Sequence, residues 1–149
     1  MDPVTIANEA TLIYDNITKN SNAVVTRILS LYDLTATKEA LLDSYTPGQT
    51  ITYITRVENT GSASLYNLTI VDDLANGTLQ YIDTSIEGYL NGSPIEIDVQ
   101  KTANTVTFKI DNVLNPNDNV LIIFETTTPT TNPEQITNTQ TITANGGSK

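Results

Sequence analysis

The sequence predicts an all-β protein, a sandwich or barrel of short strands. Three observations predict it. Thr, Asn, Val and Ile dominate while good helix formers rarely cluster, and β-branched residues suit strands as Asn, Gly and Pro suit turns. Residues alternate with period two along "QTITYITRVEN" (49–59), so that Ile51, Tyr53, Thr55 and Val57 face one way and Thr52, Ile54, Arg56 and Glu58 the other. Turn words such as "YTPGQ", "NTGSAS", "ANG", "LNGS", "KTAN" and "LNPND" recur at short, regular intervals.

The elements follow in order. "IANEATLIY" (6–14) and "SNAVVTRIL" (21–29) read as two strands with a polar connection, "NITKNS" (16–21). "LYDLTATKEALLDS" (31–44) has the composition of a short helix around Lys38–Leu42. Leu34 and Ala36 nevertheless alternate with Asp33, Thr35 and Thr37, which favours a strand over Tyr32–Lys38 followed by a loop. After strand 49–59 come "LYNLTIVDDL" (65–74), "TLQYID" (78–83), "SPIEIDV" (93–99), "NTVTFKI" (104–110), "NVLIIFETTT" (119–128) and "ITNTQTIT" (136–143). "LIIF" is apolar on both faces, as a central strand is.

At 149 residues the chain has room for one domain and an extension. Cys and His are both absent, which excludes disulfides and the common zinc, haem and nucleophile–base sites. A net charge of −10 with only 7 Lys and Arg speaks against nucleic acid or an anionic membrane as partner. No apolar run reaches the ~18 residues of a membrane span, and "MDPVTIANEA" has neither the basic nor the apolar region of a signal peptide. No cofactor or metal is expected. Oxygen ligands in "DNVLNPNDN" (111–119) lack a regular calcium-loop spacing, and carboxylates such as Asp72/Asp73 or Asp111/Asp118 have no spacing that makes them a glycosidase pair. An enzyme is therefore not expected.

Three polar residues fall in core phase. Lys38 shares its face with Leu34 and Ala36, Asp72 with Leu68, Ile70 and Leu74, and Asn138 with Ile136 and Ile142, while Asp73 falls on the other face. Near the N-terminus Asn8 shares its face with Ile6, Ala10 and Leu12, a second copy of the closing strand. A Lys, an Asp and an Asn facing a core are costly unless they meet. One chemistry uses such a trio: a neutral Lys amine attacks the Asn amide, a protonated acid polarises its carbonyl, ammonia leaves and an isopeptide bond remains. The bland alternative is that Lys38 reaches solvent at a strand end, Asp72 caps a turn and Asn138 makes ordinary hydrogen bonds.

The trio sits in recognisable words. "YTPGQTITYITRVENTGSASLYNLTIVDDLANG" (45–77) resembles the core of the DUF11 repeat family, with "LTATK" (34–38) similar to its opening strand and "ITNTQTIT" (136–143) to its closing one. It is also similar to the isopeptide-bearing domains of Gram-positive pili. The resemblance implies an immunoglobulin-like β-sandwich in a surface or spore-coat protein, over residues 31–149, preceded by an N-terminal strand extension over 1–30. It implies Lys38 and Asn138 as the cross-linked pair and Asp72 as the assisting acid. Asn8 stands as the alternative partner, in another chain.

The order of parts departs from that family. A closing strand is usually followed by one resembling "SNAVVTRI" before the next repeat opens, and here that pair stands first. The main domain is thus expected to lack its last strand while the N-terminus carries a spare pair. Strand donation follows, with Ile6, Ala10, Leu12, Val24 and Ile28 as donor side chains filling a neighbour's open edge. A head-to-tail interface of this kind need not close, and it yields a fibre whose partner is the chain itself. The expected function is a structural subunit of an extracellular fibre or appendage on a cell or spore surface. The alternatives are a fragment of a long surface array, a monomer completed by its own N-terminus, and an adhesin-like module binding through loops 85–94 or 111–119.

Overall fold

The computed structural model describes residues 4–8, 11–14, 17–20, 24–28, 31–131, 135–145 and 147–148. The chain divides into two units, Met1–Leu31 and Tyr32–Lys149. The first holds β1 (Val4–Asn8), β2 (Thr11–Tyr14), β3 (Ile17–Asn20) and β4 (Val24–Ile28). β1 pairs antiparallel with β4 from Val4↔Ile28 to Asn8↔Val24, and β2 with β3 from Thr11↔Asn20 to Tyr14↔Ile17. The expected polar connection over 16–21 is therefore corrected: it contains a strand. Ile17 and Thr18 are β-branched, and pairing with β2 outweighs the polar character of the segment.

The second unit is a β-sandwich. Its strands are β5 (Leu34–Ala40), β6 (Thr50–Asn59), β7 (Tyr66–Asp72), β8 (Gln80–Tyr81), β9 (Glu87–Leu90), β10 (Ser93–Ile95), β11 (Asp98–Lys101), β12 (Val106–Ile110), β13 (Asn119–Thr127), β14 (Gln140–Asn145) and β15 (Gly147–Ser148). One sheet runs β10-β9-β13-β6-β5, with β8 also on β13; the other runs β11-β12-β7-β14-β15. β13 lies between β6 and β9, the central place its two apolar faces require. Residues 34–40 form a strand, as the alternation predicts, and not a helix. Among the described residues no helix is long and apolar enough to cross a membrane.

Two strands differ from expectation. "SPIEIDV" is not one strand: β10 joins the first sheet and β11 the second. Asn91 and Gly92, at φ 49° and 80°, close a tight β9–β10 hairpin that commits Ser93–Ile95 to the first sheet. Pro94, which has no N–H to give, is tolerated because β10 is an edge strand. β9 itself escaped the alternation rule because it contains Gly88. A Cβ there would stand 2.6 Å from Ile97 Cδ1, so the glycine admits a core side chain. Most of the loop expected over 85–94 is thus paired sheet.

The core lies between the sheets. β6 buries Ile51, Tyr53, Thr55, Val57 and Asn59 on one face, the row its alternation marked. Phe124 of the first sheet packs on Phe108 of the second with ring centroids 5.0 Å apart, and Tyr53 stacks on Phe124 at 5.4 Å. Asn59, fully buried, donates to the carbonyls of Ala63 and Leu114 and accepts from Gly61 N, which fixes the "NTGSAS" turn. Truncating the central ring should be severe. Phe124→Ala is expected to cost about 3–5 kcal/mol, read as a lower midpoint in urea unfolding.

Candidate functional site

Lys38, Asp72 and Asn138 meet inside the sandwich. β5 and β7 belong to opposite sheets, and strand phase turns Lys38 and Asp72 toward each other. Lys38 Nζ donates to Asp72 Oδ2 at 2.8 Å; the Asp72 side chain is fully buried and that of Lys38 is 15% exposed. Asn138 lies just before β14. Its backbone carbonyl accepts from Lys38 Nζ at 3.3 Å. Its side-chain Oδ1 accepts from Ala75 N at 3.3 Å, while its Nδ2 is buried without a hydrogen bond. An unbonded buried amide nitrogen is rare and costly.

The other singled-out residues lie in the N-terminal unit. Asn8 stands opposite Val24 in the β1–β4 ladder, Ile6 opposite Thr26, Ile28 opposite Val4, and Leu12 opposite Lys19 in the β2–β3 ladder. Ala10 lies outside the described residues.

Four further groups complete the site, and sequence reasoning passed over their role. Thr55 is the cross-strand partner of Lys38, and Gln140 that of Asp72. Gln140 Nε2 donates to Asp72 Oδ2 at 2.9 Å, and Thr55 Oγ1 donates to Gln140 Oε1 at 2.9 Å. Two cross-strand pairs, one from each sheet, are thus joined by two inter-sheet bonds. The Tyr53 ring lies under Lys38 Nζ, 4.7 Å from its centroid. Leu74 N donates to Asp72 Oδ1 at 2.9 Å. The signal for Thr55 and Gln140 was the same period-two count: both are polar residues in an inward row.

Strand β7 ends in one helical turn, Leu74–Gly77, that winds left-handed. Leu74, Ala75 and Asn76 have φ of 48°, 52° and 56°, and Gly77 has 83°. Each non-glycine residue in that conformation costs roughly 1–2 kcal/mol. The surroundings hold it there: Leu74 is buried, and Leu79 N bonds Leu74 O at 2.9 Å. Asp73, just past the end of β7, accepts from Ala75 N at 2.9 Å, Thr139 N at 3.0 Å and the Thr139 hydroxyl. It thereby ties the turn to the residue after Asn138.

Burial pushes the Lys38 amine below the ordinary lysine range, although the Asp72 carboxylate beside it pulls the other way. Burial also pushes the Tyr53 hydroxyl up, opposed by its approach to the Asn138 side chain. For Asp73, burial is outweighed by the hydrogen bonds from Thr139 and Ala75, which hold the carboxyl below its usual range. Asp72 and Asp73 are each consumed by such bonds, not poised as a pair across a cleft. In the 111–119 segment, Asp118 accepts from Asn91 Nδ2 and Asn115 N, each at 2.7 Å, and braces its own turn. Among the described residues no cluster of three or more Asp and Glu side chains is arranged to hold a metal ion.

No family model matches the sequence, and no curated protein matches it. Solved structures do match in fold. The chain is similar to the major pilin subunit BcpA of Bacillus cereus at 14% identity and TM-score 0.63, over 95% of this chain and 45% of that one. It is similar to the pilus backbone protein RrgB of Streptococcus pneumoniae at 13% identity and TM-score 0.58, over 75% of this chain and 31% of that one. The N-terminal domain of the Streptococcus gordonii adhesin Sgo0707 matches at 18% identity and TM-score 0.61, over 88% of this chain and 35% of that one. The chain spans less than half the length of these relatives in fold. Its architecture is the immunoglobulin-like β-sandwich of Gram-positive pilins and surface adhesins.

Proposed function

We propose that this chain is a structural subunit of a surface fibre, stabilised by a Lys38–Asn138 isopeptide bond. The observation that carries the bond is Lys38 Nζ lying against both Asp72 and Asn138, with the Asn138 amide nitrogen buried and unbonded. The reaction balances with the residues present. Lys38 Nζ passes a proton to Asp72 Oδ2 and its lone pair attacks Asn138 Cγ. The carbonyl pair moves to Oδ1. As the carbonyl reforms, the Cγ–Nδ2 bond breaks, and protons from Nζ, relayed by Asp72, leave with Nδ2 as ammonium. Burial favours this transfer because it disfavours the charged Lys38 amine. The fixed positions supply the proximity that a bimolecular aminolysis lacks.

Assembly would use the N-terminal unit. Segment 6–14 repeats the closing sequence 136–144; its β1 pairs with β4 and its β2 with β3. In the sandwich the counterpart of β2, β14, carries β15 on its outer edge only at Thr143 and Ala144 among the described residues. A strand from a neighbouring subunit's N-terminal unit would add to that edge, with Ile6, Ala10, Leu12, Val24 and Ile28 as candidate donor side chains. The pilin fold of the solved relatives supports the fibre reading. So does the resemblance to DUF11 repeats of surface and spore proteins. A second reading, one repeat of a longer surface array, is favoured by the small share of each pilin that the chain covers.

Three outcomes follow. Intact mass of the folded protein should fall short of the sequence mass by one ammonia, and Asn138→Ala should restore the full mass. That variant keeps the Lys38–Asp72 pair, so its loss of stability reports the bond. By analogy with a disulfide closing a loop of ~100 residues it should approach about 4–5 kcal/mol. A full mass in folded wild type ends the proposal.

The pH dependence has a defined sign. The proposed reaction needs the proton that Lys38 passes to Asp72. The rate of ammonia loss after refolding should be level through neutral pH and fall once the pair loses that proton. Because the Lys38 pKa is lowered, the fall should begin below the ordinary lysine value of about 10.4. A rate that keeps rising through that range would exclude Asp72 as the proton carrier. For assembly, electron microscopy and gel filtration should show polymers that vanish on deletion of 1–30. A monodisperse monomer at high concentration overturns strand donation and leaves the array reading.

A further inference from the structure

The geometry points to the backbone N–H of Ala75 as the oxyanion donor for attack on Asn138; this rests on the cross-link reading above. Attack places negative charge on Asn138 Oδ1, and Ala75 N already donates to that atom at 3.3 Å. A preorganised backbone N–H aimed at a developing oxyanion is among the strongest catalytic devices available to a protein. The left-handed turn is what aims it. With Leu74, Ala75 and Asn76 at φ near +50°, successive N–H groups turn back toward β7 and the closing segment: Leu74 N reaches Asp72 Oδ1, and Ala75 N reaches Asn138. Strain of this kind persists where the surroundings enforce it and clusters at working sites. Gly77 completes the turn in close quarters, since a Cβ there would stand 2.5 Å from Asn104 Oδ1.

The same donor explains why Asn138 and not Gln140 is the electrophile. Two carboxamides lie beside the Lys38–Asp72 pair. Gln140 gives its nitrogen to the Asp72 carboxylate and takes its oxygen bond from the Thr55 hydroxyl. A bonded nitrogen is a poor leaving group, because the bond to a carboxylate deepens its delocalisation into the carbonyl. Asn138 is the reverse: its nitrogen is unbonded and its oxygen faces a backbone N–H. The Ala75 N–H is shared with Asp73 Oδ1 at 2.9 Å, whose charge is also met by Thr139. As charge grows on Asn138 Oδ1, the shared hydrogen bond moves toward it.

The test uses the full chain with Ala75 replaced by its α-hydroxy analogue, so that an ester oxygen stands where the N–H was. Ammonia loss on refolding, followed by intact mass, should slow about 100-fold. A second measurement serves if the ester chain does not fold. In Lys38→Met protein, which cannot react, the Ala75 amide proton resonance should move when Asn138→Ala is added. An ester variant that reacts at the wild-type rate, or an unmoved resonance, overturns the Ala75 assignment alone. Wild type that folds and keeps its full mass overturns the cross-link reading and this inference with it.

Discussion

A fully buried carboxylate is the constraint around which the sandwich is arranged. Asp72 has no access to water, and an unpaired charge in such a place costs several kcal/mol. It is met from three directions: Lys38 across the sheets, Gln140 across the strand pair and Leu74 N from the turn. Register depends on this. A one-residue slip of β5 on β6 would turn Lys38 to solvent, and a slip of β7 would expel Asp72 and strand Lys38. Apolar rows tolerate imprecision better than a charge does, so the pair selects one alignment among those that hydrophobic burial alone would accept.

The local words of the chain serve that alignment. Asn59 closes the turn after β6, which sets where β7 begins. The run from Asp72 to Gly77 ends β7 and bends back on itself, with Asp73 tied to Thr139 so that the closing segment arrives in register. Thr128 joins the far end of β13 to the turn before β6 through Thr46 and Gln49. The polar groups in core positions at these points are bonded; among the described residues, two buried side-chain atoms are not, Thr126 Oγ1 on β13 and Asn138 Nδ2.

Much of this was legible in the sequence, and the failures have physical causes. Period-two counting placed Lys38 and Asp72 on inward faces, because β5 and β7 are each set in phase by their neighbours; Asn138 reaches the site from the segment before β14, outside the strand that the count assumed over 136–143. The same count marked Thr55 as inward but could not say what it met, since cross-sheet partners are fixed by topology and not by phase. β9 was hidden because Gly88 carries no side chain to show a phase. The division of "SPIEIDV" was hidden because a strand's sheet is chosen by its pairing partners. The left-handed turn was invisible: "DLANG" has one glycine, and Leu74 and Ala75 are held at positive φ by burial and by hydrogen bonds that exist only once the sheets have met.

Stability alone does not account for a polar centre in this core. A buried ion pair is often no better than apolar residues of similar volume, and an apolar set at 38, 72 and 138 would need neither a bent turn nor an unbonded amide. What apolar packing cannot do is carry load. Lys38 lies on the first strand of the sandwich and Asn138 beside its last long strand, in opposite sheets. Under the proposed reading, tension entering at β5 crosses to the closing segment through one covalent bond. The hydrogen-bonded ladders between them then bear little of it. That outcome needs the two residues adjacent, an acid beside the amine and a donor on the amide oxygen, and the strained turn at Ala75 is the element that apolar packing would have left out.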